Sequence, residues 1–178
     1  IKKFVLKADP TELKKELQAQ INKIKSLGIK PTHIDSHEGA LFFNKEHFRV
    51  YLEVGEENKL PVFVPRGVDA HFGKGFPKPK NVVVIKDLYM ARKGLKKTKW
   101  KEFYLNTIRG LKPGISQLIV HLSYDDNEMR EISIDHPDYG AKWRHLDYEA
   151  VTNISFKKAL KQNDIKLVTW KEIQKVLY

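Results

Sequence analysis

Two places in the sequence carry side chains that could do chemistry. The stretch PTHIDSHEG at 31–39 sets His33, Asp35 and His37 one residue apart. Imidazole nitrogen and carboxylate oxygen are the usual ligands of a catalytic Zn²⁺ or similar divalent ion, which takes three protein ligands and keeps one position open. Water held there can attack a carbonyl near neutral pH. The second place is SQLIVHLSY at 116–124, where His121 interrupts an apolar run and is followed by Asp125 and Asp126. An imidazole in such a run is costly unless paired or used.

Each of these residues also has a plainer reading. His37 could be a metal ligand or a buried histidine bonded to backbone, and Asp35 could bind metal or only orient an imidazole. His33, deeper in its segment, reads as structural. His47, His71, His136 and His145 fall on a helix or in loops and receive no role. The chain contains no cysteine, which excludes disulfides, thiolate metal sites and cysteine nucleophiles together.

The elements that must carry these residues follow from periodicity. Asp9, Pro10 and Glu12 read as the start of a helix, and Leu13, Leu17, Ile21, Ile24 and Leu27 recur at helical spacing up to Gly28. Residues 29–37 then alternate, which predicts a strand with His33, Asp35 and His37 on one face. A helix is expected over 45–54, and strands over 60–67, 81–89 and 116–124. The Gly-, Pro- and Lys-rich stretch 68–80 reads as a surface loop.

Trp100, Phe103, Tyr104, Ile108 and Leu111 predict a helix ending before Pro113 and Gly114. Beyond 125 a loop-rich stretch runs to about 152. A helix at 155–162, a strand at 165–170 and a closing helix follow, with Thr169 and Glu172 at capping-box spacing. Strands separated by helices predict parallel βα units, hence an α/β sheet or barrel, and nothing in the pattern divides residues 1–178 into two domains. In such folds functional side chains gather where strands end, which places His37 and His121 at strand ends.

The 178 residues, 41% hydrophobic, suit a globular domain rather than disorder. No run approaches the roughly 18 apolar residues of a membrane span, so the chain reads as soluble with no membrane partner, and its compartment stays open between cytoplasmic and secreted. The net charge of +11 comes mostly from lysine, with six arginines. The densest basic run, ARKGLKKTKWK at 91–101, has its tryptophan on an apolar helix face and reads as a solvated turn rather than a nucleic-acid contact. A homodimer stays open.

PTHIDSH with the preceding ELQAQINKIKSLGIKP, then PGISQLIVHLSYDDNEMR and ALKQNDIKLVTWKEI, resembles the YdjC-like carbohydrate deacetylases, over nearly the whole chain. The resemblance implies an irregular (β/α) barrel of the polysaccharide deacetylase type, incomplete at its N-terminus. It also implies hydrolysis of acetyl groups from N-acetylated sugars or oligosaccharides with a divalent ion, Zn²⁺ or Mg²⁺. By position it makes His37 a metal ligand, Asp35 a supporting residue in catalysis, and His121 an active-site residue that protonates the leaving amine.

The family pattern continues THxDSHxHxH, whereas Glu38, Gly39 and Ala40 follow His37 here. Its opening Asp-Asp strand and a further ligand histidine have no counterpart in the sequence, and the chain aligns with the C-terminal two thirds of a typical member. The alternative is a non-catalytic carbohydrate- or nucleic-acid-binding α/β domain that has lost its metal site.

Overall fold

The computed structural model describes residues 7–67, 71–72, 82–136 and 138–178. They fall into two compact units, residues 1–85 with 168–178, and residues 86–167.

In the first unit, α1 (Pro10–Ser26) starts where Asp9 accepts the backbone N–H groups of Thr11 at 2.8 Å and Glu12 at 3.1 Å. These bonds fill two of the donors that a helix start leaves open, and Pro10 costs nothing at a position whose N–H has no partner. Leu13 and Ile21 turn inward against α2 (Lys45–Glu57), which contributes Phe48, Tyr51 and Val54 to one core with Leu41, Leu60, Val62 and Val64. Gly55 sits inside α2 because the helix lies hard on the chain beyond it. A Cβ there would come within 2.3 Å of the Val62 side chain and 3.0 Å of the Leu60 carbonyl.

β1 (Phe63–Pro65) pairs in parallel with β2 (Val83–Ile85). On the other flank Ile34 makes a single parallel bridge to Val62: its N–H donates to Pro61 O at 3.0 Å, and Phe63 N–H returns to Ile34 O at 3.3 Å. The strand predicted over 29–37 is therefore reduced to one bridge residue. Ile29 is exposed and Pro31 has no N–H to donate. Past Ile34 the chain turns into a 3₁₀ helix, His37–Phe42. The strand predicted at 165–170 does not form either: Leu167 and Val168 are exposed, and Thr169 instead caps α7 (Trp170–Leu177), closing the expected capping box with Glu172. Alternation predicts a strand only where a neighbour supplies the ladder.

In the second unit, β3 (Asp87–Met90) pairs in parallel with β4 (Ser116–Ile119), with Asp87 opposite Ser116 and Met90 opposite Ile119. The single strand predicted over 81–89 is thus two, broken at Lys86, with β2 and β3 in different pairs. Asn81 and most of the predicted 68–80 loop lie outside the described residues. β4 is also shorter than predicted, and His121 stands beyond its end.

α3 (Trp100–Gly110) buries Trp100, Tyr104 and Ile108, one per turn, against Trp143, Ala150, Phe156 and Ala159. Those residues come from α5 (Ala141–Thr152) and α6 (Ile154–Gln162). The loop-rich reading of 125–152 is corrected: α4 (Asn127–Ile132) and α5 occupy much of it. The buried face of α5 includes the charged Asp147, which interrupts its apolar stripe, and packing rather than pattern makes it a helix. Among the described residues the strands form two separate parallel pairs and no closed sheet. No described helix is long and apolar enough to cross a membrane.

Candidate active-site residues

In the first unit, the chain bearing His33, Asp35 and His37 is held from below by hydroxyl groups. Tyr51, 1% exposed, donates its O–H to Ile34 O at 2.8 Å and accepts Phe63 N–H at 3.0 Å, tying the bridge residue to β1 through a side chain. Burial pushes the Tyr51 hydroxyl well above its usual range, and the negative charge of Asp35 pushes it the same way, so it stays protonated and keeps donating. Ser36 is buried, and its Oγ accepts Leu41 N–H at 2.9 Å, closing the 3₁₀ turn. The turn can be this tight because Glu38 and Gly39 both take left-handed backbone angles, with φ of 52° and 66°.

This frame leaves Asp35 and His37 at the surface and His33 half-buried. Asp35 Oδ1 accepts the N–H of Ser36 at 2.7 Å. Loss of hydration lifts the Asp35 carboxyl above the usual value, opposed by that bond and by the nearby His33 and His37 rings. The His33 ring stacks on Trp170 with centroids 4.7 Å apart and planes 4° from parallel, and its Nδ1 lies 3.2 Å from Thr32 Oγ1. Partial burial pulls the His33 pKa down, with Asp35 acting the other way. Asp35 and His37 are brought together, at the point where the parallel bridge ends.

His121 belongs to the second unit, two residues past the last pair of β4. Its ring lies 5.2 Å from that of Tyr139, and its Nδ1 is buried with no hydrogen-bond partner among the described residues. Burial lowers its pKa and Arg144 lowers it further, while Asp147 raises it. A histidine so placed is neutral near pH 7 and becomes a good proton donor once protonated.

Sequence reasoning missed Asp147. It is 0% exposed on α5, where its Oδ1 accepts Trp100 Nε1–H at 2.7 Å and Tyr104 O–H at 2.5 Å. Its Oδ2 accepts the backbone N–H of His121 at 3.0 Å. Burial and the bond to this carboxylate push the Tyr104 hydroxyl far up, so it too remains a donor. One signal was available: Asp147 lies four residues after Trp143 and three before Ala150, on the face a helix would bury.

A divalent ion would need three ligands, and the described residues do not supply them. Among the described residues no group of three His, Cys, Asp or Glu side chains comes together to hold a metal. His37 and Asp35 give two groups of the right type, short of a set.

Two parallel strand pairs among helices, with His37 and His121 a few residues past the ends of parallel pairings, define the class as α/β. The YdjC-like protein family model matches residues 1–162, and the chain belongs to that family. It is 27% identical over 164 residues to a carbohydrate deacetylase of Thermoanaerobacter pseudethanolicus, a match covering 92% of this chain and 60% of that protein. Its fold is similar, with a TM-score of 0.73 at 20% identity, to the crystal structure of a protein of Enterococcus faecalis provisionally named for cellobiose-phosphate cleavage. That match covers 96% of this chain and 63% of the other. The chain thus spans about three fifths of the length of the relatives it matches.

Proposed function

We propose that the protein is a carbohydrate deacetylase, hydrolysing the amide of an N-acetylated sugar or oligosaccharide to acetate and a free amine. In the complete enzyme the strands would belong to an irregular (β/α) barrel. The observation that carries the reading is the exposed Asp35 and His37 pair at the end of the parallel bridge, in a chain of this family with a carbohydrate deacetylase among its relatives.

The reaction adds water to the acetyl carbonyl and breaks the C–N bond, so one proton must leave the water and one must reach the amine. His121 suits the second transfer: neutral near pH 7, it takes up a proton and delivers it to the departing nitrogen. Asp35 supports His37. A divalent ion, Zn²⁺ or Mg²⁺, would have His37 among its ligands and would polarise the acetyl carbonyl; the described residues do not complete its ligand set.

The test is acetate release from N-acetylated chitooligosaccharides by the full-length protein with Zn²⁺ or Mg²⁺ added. Release is expected, with a large loss in His37→Ala and in His121→Ala; full activity in His37→Ala would overturn its role. Sugar binding without any acetate release would instead identify a non-catalytic carbohydrate-binding domain.

A further inference from the structure

We propose that Asp147 is a positioning residue for His121, clamping the main chain at that residue so that the imidazole is presented from a fixed point. The proposal rests on the role given to His121 above. Asp147 is the only acidic side chain buried among the described residues. A carboxylate taken out of water must be answered by donors, and three meet it. Two of them, Trp100 Nε1–H and Tyr104 O–H, share Oδ1 and belong to the core that α3 and α5 form.

The third is different in kind. Oδ2 reaches out of that core to the backbone N–H of His121, in a segment that has already left the β4 ladder at Ile119. The carboxylate thus does for His121 what a strand partner does for the residues before it. It also places a negative charge beside an imidazole that must carry a proton during turnover, opposing Arg144 and the burial at Tyr139.

Asp147→Asn separates the clamp from the core. The amide oxygen can still accept from Trp100 and Tyr104, but its NH₂ group cannot accept the His121 N–H, and the charge is gone. In the full-length protein the His121 pKa, followed by its ring proton resonances, should fall by about half a unit or more. The kcat should drop about a hundredfold with KM held within about twofold. Tyr104→Phe removes a donor to Oδ1 but keeps charge and clamp, so the His121 pKa should hold or rise and kcat should stay within about threefold.

Equal losses in both variants would overturn the proposal, leaving Asp147 a core residue only; so would an unchanged His121 pKa and kcat in Asp147→Asn. Should Asp147→Asn not fold, hydrogen exchange in the wild-type protein decides: the His121 amide should exchange as slowly as that of Leu118 within β4, and free exchange would refute the clamp. If the wild-type protein releases no acetate at all, the deacetylase reading fails, while the titration and exchange results still decide the clamp.

Discussion

The segments bearing His37 and His121 both follow the end of a parallel pairing, but they are held there by opposite means. The first is fixed by neutral hydroxyls, with Tyr51 under Ile34 and Ser36 closing the turn, and its ionisable groups stay toward the water. The second is fixed by a fully buried carboxylate, and its histidine is partly buried. A hydroxyl is cheap to bury and modest in effect, whereas a buried carboxylate commits every donor around it. The second segment should accordingly be the more fragile to single substitutions and the more rigid in the native state.

That contrast can be broken most directly at Asp147. Asp147→Ala strands the indole N–H, the phenol and the His121 amide at once, and should cost about 3 to 5 kcal/mol by urea unfolding at 25 °C. A cost near that of a surface substitution would erase the distinction. Tyr51→Phe, the hydroxyl counterpart, should cost about 1 to 2 kcal/mol, and amide exchange should rise most at Phe63, whose N–H it accepts.

Smaller again is Ser36→Ala, which leaves Leu41 N–H without its acceptor and should cost about 1 kcal/mol in the same unfolding assay. Crystallography or NMR of that variant should show the His37 turn loosened.

The smallest effect is the pH dependence, which also compares the two regions. His33 and His121 both have native pKa values below the ordinary 6.5, so between the native value and 6.5 the unfolded chain binds more protons. Their contribution to stability is complete above 6.5, falls as the pH drops through it, and levels off below the native values. Asp35, raised above 3.8, acts in the opposite direction: its contribution grows as the pH falls through its native value toward 3.8. Melting temperatures measured from pH 8 to 5 should therefore decline. His33→Gln and His121→Gln should each flatten the decline, and a steeper decline in either would reverse the assigned sign.

The helices were legible where the sequence states both ends and a stripe. Asp9 and Pro10 open α1, Thr169 and Glu172 open α7, and Trp100, Tyr104 and Ile108 mark the buried face of α3. α5 was not legible because its buried face is Ala141, Trp143, Asp147 and Ala150, and a charged residue on that face reads as solvent-facing until its partners are seen. Strands were overcalled for a related reason: the alternating segments at 29–37 and 165–170 have the right pattern, but only Ile34 finds a ladder partner. At the candidate site, spacing singled out His37 and Asp35, the apolar run around it singled out His121, and the family resemblance implied their roles. The residues that hold their segments, Tyr51 and Asp147, lie in sequence 17 residues from Ile34 and 26 from His121, and no local rule connects them.

What the sequence determined by itself was local: caps, helix stripes, the absence of thiol chemistry, and a family motif around His37. Only the tertiary structure decided which alternating segments become strands, that Lys86 parts one predicted strand into two, and that an aspartate on a weakly patterned helix carries the His121 main chain. Capping and helical periodicity are satisfied within a few residues. A ladder bond or a buried charge is satisfied only by a partner that folding brings from elsewhere in the chain.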